Sequence, residues 1–241
     1  MAKVKNGIFC LEGLWDNNLK KASSVKPILD LLKCTVGARY IYGNCATVEE
    51  FKNYLSKWVH KSYRDYPVLY IATHGEEGLA IIGSSKVPIE DIAEWLKGKC
   101  HNRIIIFGSC STMAIHGAHL KTFLRDTGAL AICGYRTEVD WIESTAFELI
   151  LLSIMQENKI EGRGVEPIKK KADTWASNKS FKKLNFRMLT QKTVRSNIVY
   201  KAWQDCDDIS RKDALGTCKN DCDYWHECPK RRKAMKNSIG L

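Results

Sequence analysis

Short, continuously apolar segments alternate along the first 190 residues with segments whose apolar residues recur at helical spacing. The apolar segments predict six strands, at 7–11, 39–42, 68–72, 103–107, 129–133 and 184–188. The amphipathic segments predict helices at 24–32, 47–58, 88–96, 141–155 and 168–175, and residues 79–85 predict a small hairpin. Strands that are apolar throughout are typical of a mostly parallel sheet that helices cover on both faces. The pattern therefore predicts an α/β fold, a three-layer α/β/α sandwich.

Two of the predicted strands end in residues that can carry out chemistry. His74 and Gly75 follow the third strand, and Cys110 follows the fourth. Functional groups gather at the carboxyl ends of parallel strands, and neighbouring strands lie about 4.8 Å apart. A thiol and an imidazole placed in this way can attack one carbonyl and transfer its protons. The backbone amides of Gly75 and Cys110 would then be natural donors to the oxyanion.

The residues around this pair resemble the active-site blocks of clan CD cysteine peptidases, which include caspases, metacaspases, separases and CHAT proteins. The segment YPVLYIATHG is similar to their histidine block, and RIIIFGSCST is similar to the separase and CHAT form of their cysteine block. The segment GALAICGYRTEVDWIESTAFELI resembles the next CHAT block. Because the three blocks agree in order, spacing and type, the resemblance covers roughly residues 7–190 and implies a caspase-like fold.

The resemblance also implies an activity, that of a cysteine endopeptidase. Cys110 would attack the scissile carbonyl of a protein substrate, His74 would protonate the leaving amine, and water would release the acyl-enzyme. The resemblance implies no cofactor for catalysis, and no third triad residue is nominated. In prokaryotes, CHAT peptidases often act in defence, including antiviral defence, or in programmed death, and a protein partner activates them.

A protein can keep this fold and bind a partner without cutting it. The alternative is therefore a non-catalytic caspase-fold binding module whose basic tail contacts nucleic acid or a protein partner.

Four acidic residues near the predicted strand ends are candidates for substrate binding. Glu12 and Asp16 follow the first strand, and Glu138 and Asp140 follow the fifth. Related peptidases that cut after Arg or Lys place a carboxylate in the first specificity pocket, where it matches the positive charge of the substrate. Some CHAT enzymes cut after apolar residues instead, so both preferences stay open.

Positive charge is concentrated in the last third of the chain. The net charge is +11, yet residues 1–158 carry 18 basic and 17 acidic residues, whereas residues 159–241 carry 20 and 10. We separate a caspase-like peptidase domain, 1–190, from a small basic, cysteine-rich extension, 191–241. The run 230–233, Lys-Arg-Arg-Lys, indicates either a solvated helix or a contact for nucleic acid or an acidic partner.

The extension also holds candidate metal ligands, which are Cys206, Cys218, Cys222 and Cys228. Four thiolates, or three and the imidazole of His226, suit a structural zinc site, and four thiolates suit an iron–sulfur cluster. The spacing C-x11-C-x3-C-x5-C lacks the tight C-x2-C knuckle, so free reduced thiols, or disulfides formed in vitro, are the alternatives.

The chain has no apolar run of about 18 residues, and its N-terminal segment lacks the small-residue cleavage site of a signal peptide. We therefore expect no membrane contact and a cytoplasmic location. In that compartment the ten cysteines are expected to be reduced, metal-bound or catalytic.

Overall fold

The computed structural model describes residues 6–192, except 17, 19 and 22. The strands are β1 (Ile8–Gly13), β2 (Tyr40–Cys45), β3 (Val68–Ala72), β4 (His74–Glu76), β5 (Leu79–Ile82), β6 (Ser85–Pro88), β7 (Ile104–Phe107), β8 (Ala131–Tyr135) and β9 (Phe186–Thr190). The helices are α1 (Lys26–Val36), α2 (Val48–Trp58), α3 (Ile89–Trp95), α4 (Gly117–Thr127), α5 (Trp141–Glu157) and α6 (Val165–Ala176).

Six strands form the main sheet, in the order β2-β1-β3-β7-β8-β9. The first five run parallel, and β9 is antiparallel to β8. All six are the strands that the apolar segments predict, and helices flank the sheet. The predicted α/β class, a three-layer sandwich on a mostly parallel sheet, is therefore confirmed.

The central strands β3 and β7 are neighbours, and this pairing positions the candidate site. Every residue of both strands is buried, because helices cover the sheet on both sides. Ile71 lies opposite Phe107, and the Gly108 amide donates to the Ile71 carbonyl at 2.8 Å, one residue beyond the ladder. The segments that follow the two strands therefore leave the sheet side by side.

A second, small sheet follows β3 directly. The predicted hairpin at 79–85 is confirmed as β5 and β6, which pair antiparallel around Gly83. A third strand, β4, begins at His74 and pairs with β5. This strand is not predicted from the sequence, because three residues are too short to show a periodicity.

Helix α4 is also absent from the sequence prediction. Its buried residues Leu120, Phe123 and Leu124 have helical spacing, and Gly128 ends it in the left-handed conformation, with φ of 75°. These signals are present in the sequence, but exposed polar residues in the first turns dilute the apolar pattern.

One carboxyl group, that of Glu148 on α5, lies buried in the apolar core between the sheet and the helix. The hydroxyl of Tyr70 donates to one of its oxygens, and the hydroxyl of Tyr135 donates to the other at 3.1 Å. Burial raises the pKa of Glu148 to about 7, against the lowering effect of the two tyrosine hydrogen bonds. Burial therefore keeps Glu148 protonated to a higher pH than an exposed glutamate.

The buried Glu148 should make the stability of the fold depend on pH. Its pKa in the folded chain, about 7, is above its ordinary value of 4.5, so the stabilisation is complete below about pH 4.5 and is lost as the pH rises to about 7. The gap between these values corresponds to about 3 kcal/mol. Glu148→Gln mimics the protonated form, so the free energy of unfolding of the wild type should fall relative to this variant across that range.

Urea denaturation at several pH values measures this difference. The exposed Glu49→Gln is the control for the effect of pH on the rest of the fold. A difference between wild type and Glu148→Gln that stays constant from pH 4.5 to 7 would contradict the account.

Candidate functional site

His74 and Cys110 lie at the same edge of the main sheet, just beyond the carboxyl ends of β3 and β7. His74 is exposed, and Cys110 is half-buried in the turn after β7. A Cβ atom built on Gly75 would lie 2.6 Å from the Cys110 carbonyl oxygen and 2.4 Å from Thr112 Oγ1. The backbone beside the histidine therefore packs directly against the backbone of the cysteine, and only glycine permits this approach.

A backbone carbonyl orients the His74 ring. Nε2 of His74 lies 2.8 Å from the carbonyl oxygen of Trp15, and the two rings meet edge to face with centroids 5.2 Å apart. Because a carbonyl can only accept, Nε2 must carry the hydrogen. In the neutral ring, Nδ1 then keeps its lone pair and can accept a proton.

Trp15 is itself held from two sides. Its Nε1 donates to Glu12 Oε1 at 2.5 Å, and its ring packs against Trp141 with centroids 4.6 Å apart and an interplanar angle of 89°. Trp141 is the first residue of α5, so this contact joins the turn after β1 to the start of a helix. Trp15 thus forms one wall beside His74. The sequence reasoning missed it, because any residue type can offer a backbone carbonyl.

The turn that carries Cys110 has a constrained backbone. The next residue, Ser111, has φ of 55°, a left-handed conformation that costs a non-glycine residue about 1 kcal/mol or more. Its amide donates to the Thr137 carbonyl at 3.0 Å, and Thr112 Oγ1 donates to the Leu79 carbonyl at 3.1 Å. These bonds fix the turn between β8 and the small sheet.

The amide of Cys110 has no hydrogen-bond acceptor among the protein groups that the structure describes within residues 6–192. Gly75, the second predicted oxyanion donor, lies opposite Ala80 in the β4–β5 pairing. The free amide of Cys110 is the property that an oxyanion donor needs.

Cys110 differs from most of the other cysteines that the structure describes. Burial raises the pKa of four thiols, which belong to Cys10, Cys45, Cys100 and Cys133. Cys34 is exposed on α1, and Cys110 is half-buried at the sheet edge. Buried structural thiols are inert, so Cys34 and Cys110 are the accessible thiols among residues 6–192.

Glu12 has a different role from the one that the sequence suggested. Its side chain is only 1% exposed, and its carboxylate accepts hydrogen bonds from Trp15, Ser24, Val25 and Tyr42. We therefore correct the expectation that Glu12 binds substrate. A buried carboxylate that already has four protein donors anchors the protein's own chain.

The other three predicted acids lie at the surface. Asp16 is half-buried and forms an ion pair with Lys21 at 2.8 Å. The hydrogen bond from Lys21 lowers the pKa of Asp16, and the nearby His74 adds a smaller effect in the same direction. Asp140 is the N-cap of α5, where its Oδ1 accepts from the Glu143 amide at 3.0 Å. Glu138 is exposed in the segment between β8 and α5.

The predicted metal ligands Cys206, Cys218, Cys222 and Cys228, and the basic run 230–233, lie outside the described residues. Among the residues that are described, no three His, Cys, Asp or Glu side chains cluster as metal ligands would. Within the described residues, no helix is both long enough and apolar enough to cross a membrane.

A protein-family model matches most of the part of the chain that the structure describes. The sequence model of DUF6642, described as a family of unknown function, matches residues 5–189, which include His74 and Cys110. No curated protein matches the chain significantly. The chemistry therefore has to be inferred from the site itself.

The close approach at Gly75 predicts a strong effect of a single methyl group. Gly75→Ala must push the Cys110 turn away, because its Cβ would overlap the Cys110 carbonyl and Thr112 Oγ1. We expect a loss of about 1–3 kcal/mol in the free energy of unfolding, as for other overpacked sites, and a changed rate of Cys110 alkylation by iodoacetamide. Urea denaturation and peptide mapping by mass spectrometry measure the two effects.

Gly43→Ala on β2 is the matched control, because the nearest atoms to its Cβ would be side-chain atoms of Tyr54 at 3.3 Å and Leu11 at 3.4 Å, further away than the backbone oxygen beside Gly75. If both variants were equally stable and Cys110 reacted as in the wild type, the close backbone contact would be refuted.

Proposed function

The chain belongs to the DUF6642 family, and we propose that it is a cysteine endopeptidase that cleaves a protein substrate through Cys110 and His74. The observation that carries the proposal is the packing of Gly75 against the Cys110 backbone at the ends of β3 and β7. This contact joins the segment of an oriented imidazole to that of an accessible thiol. The resemblance of the surrounding blocks to clan CD peptidases supports the same chemistry.

The reaction begins with Nδ1 of His74 taking the proton of the Cys110 thiol. The thiolate attacks the scissile carbonyl, a C–S bond forms, and the carbonyl oxygen becomes an oxyanion that the Cys110 and Gly75 amides stabilise. The intermediate collapses, the C–N bond breaks, and the proton on Nδ1 passes to the leaving amine. Water then hydrolyses the thioester, which releases the carboxylic acid product and restores the thiol.

The hydrogen bond between His74 and the Trp15 carbonyl supports the reaction both when the imidazole is neutral and when it is protonated. The Nε2–H to carbonyl bond fixes the tautomer that leaves Nδ1 able to accept a proton. When the ring becomes an imidazolium, the same carbonyl faces a charged donor, and such bonds are roughly twice as strong as neutral ones. A backbone carbonyl therefore takes the place of a third triad side chain.

The biological role follows from the resemblance to CHAT peptidases. It supports a cytoplasmic effector of a defence or cell-death system that a protein partner activates. The competing function is that of a non-catalytic binding module. The two functions differ in whether the wild type cleaves peptides and whether Cys110→Ala loses that cleavage.

Removal of the nucleophile is the first test of this function. Cys110→Ala should lower cleavage of a proteome-derived peptide library by on the order of 10³-fold or more, because the covalent step is lost. Its thermal unfolding should stay close to that of the wild type, because Cys110 lies outside the fully buried core. Cleavage is read by mass spectrometry of the new peptide termini.

Cys34→Ala is the matched control, since it removes the other accessible thiol among the described residues and should cleave like the wild type. Equal cleavage by Cys110→Ala and the wild type would refute the proposal. A wild type that cleaves no peptide would favour the binding module.

The substrate preference of the proposed enzyme depends on the groups around His74. Asp16 lies close enough to influence this ring, and Glu138 is exposed after β8, so these two acids support a preference for Arg or Lys before the cleaved bond. Trp15 and the 71%-exposed Ile142 offer an apolar surface instead. We favour the basic preference, because Asp16 is an acid close enough for His74 to lower its pKa.

A panel of peptidyl electrophiles that differ only in the residue before the reactive carbonyl tests this preference. Arg and Lys compounds should label Cys110 faster than a Leu compound, and Asp16→Asn should reduce that ratio severalfold, because the matching charge is lost. Asp30→Asn on α1 controls for the loss of a surface charge. Fastest labelling by the Leu compound would exclude Asp16 and Glu138 from the pocket.

A further inference from the structure

Glu12 lies at the end of β1, and its side chain is buried between a turn, the start of a helix and a neighbouring strand. Its carboxylate accepts from the Trp15 indole at 2.5 Å, the Ser24 hydroxyl at 2.6 Å, the Val25 amide at 2.7 Å and the Tyr42 hydroxyl. These four donors equal the number of lone-pair sites on an ionised carboxylate. The donors come from the turn after β1, the start of α1 and strand β2, so the carboxylate ties these elements together.

Glu12 is also close to the candidate site. It pairs with Ala72 across the β1–β3 ladder, two residues before His74. Trp15, which Glu12 holds through the indole nitrogen, offers its carbonyl to His74 Nε2 at 2.8 Å. Glu12 is therefore connected to the His74 imidazole through Trp15, by one hydrogen bond to the Trp15 indole and one from His74 to the Trp15 carbonyl.

Burying the carboxylate of Glu12 carries a free-energy cost that an apolar side chain at the same position would not have. Removing a carboxylate from water costs several kcal/mol, and among the described residues no Lys or Arg forms an ion pair with Glu12 to offset this. An apolar residue would fill the same space at a lower cost. Unlike an apolar side chain, the carboxylate accepts a hydrogen bond from the indole N–H of Trp15. This bond fixes the orientation of Trp15 and so limits the rotation of its backbone carbonyl.

We infer that Glu12 is a positioning residue for His74, acting through Trp15 to hold the imidazole in the Nε2–H tautomer. This inference rests on the proposed peptidase function for its purpose, but the tautomer of His74 can be measured without any activity. When the link is intact, the Trp15 carbonyl holds the hydrogen on Nε2 and leaves Nδ1 as the base. When the link is broken, the carbonyl can turn away, and the two tautomers interconvert freely.

The test uses the full chain with Cys110→Ala, so that no reaction interferes. Nitrogen-15 correlation spectra of the imidazole rings give the tautomer of each histidine, and His74→Gln identifies the signal of His74. The inference predicts one dominant Nε2–H tautomer in the parent protein and a mixture of both tautomers in Glu12→Leu. Leu has no acceptor oxygen, so the bond to the Trp15 indole cannot form, whereas a Gln amide oxygen could keep it because the Ser24 and Tyr42 hydroxyls can accept from the amide NH2.

Tyr42→Phe is the matched control, since it removes one of the four bonds to the same carboxylate and leaves the bond to Trp15. It should keep the Nε2–H tautomer. Trp15→Phe breaks the same link from the other partner and should give the tautomer mixture. It serves as the second variant if Glu12→Leu does not fold.

The same variants with Cys110 restored test the consequence for catalysis. Labelling of Cys110 by a peptidyl electrophile should slow at least tenfold in Glu12→Leu and stay within twofold of wild type in Tyr42→Phe. A dominant Nε2–H tautomer in both Glu12→Leu and Trp15→Phe would overturn the inference, even if the enzyme is active. A tautomer change without any labelling of Cys110 in the wild type would keep Glu12 as a positioning residue and refute the peptidase function.

Discussion

The parallel pairing of β3 with β7 brings together the two segments that carry His74 and Cys110. The ladder continues one residue beyond the strands, where the Gly108 amide donates to the Ile71 carbonyl, and both chains then turn out of the sheet together. Gly75 and the Cys110 carbonyl meet at this point, closer than any side chain would allow. The order of the sheet thus brings together Gly75 and Cys110, which are 35 positions apart in the sequence.

The sequence predicts the sheet well because its strands contain apolar runs, and the central strands β3, β7 and β8 are buried throughout. A continuous apolar run marks a strand that is buried on both faces, and the segment that follows it marks the sheet edge, so His74 and Cys110 could be placed together in advance. The direction of β9 could not be predicted, since an apolar run indicates burial and not orientation. Helix α4 had a readable pattern in Leu120, Phe123 and Leu124, but its polar first turn weakened it.

The part of the site that the sequence does not reveal consists of contacts between distant groups. Trp15 orients His74 through a backbone carbonyl, which carries no signal of residue type. Glu12 was predicted to meet a substrate because it is an acid at a strand end, and its burial follows only from the return of α1 and β2 around it. Two buried carboxylates, Glu12 and Glu148, therefore lie close to the site, one surrounded by four donors and the other bonded to two tyrosines. Departures from an apolar core of this kind are expected at functional sites.

The central claim is that His74 activates Cys110, and the rate at which a peptidyl electrophile labels Cys110 tests it most directly. The electrophile needs no natural substrate, and mass spectrometry identifies the labelled cysteine. The account predicts selective labelling of Cys110 in the full chain and a rate about 10²-fold or more lower in His74→Ala, the scale of general acid–base catalysis. Equal rates in the wild type and in His74→Ala would contradict it.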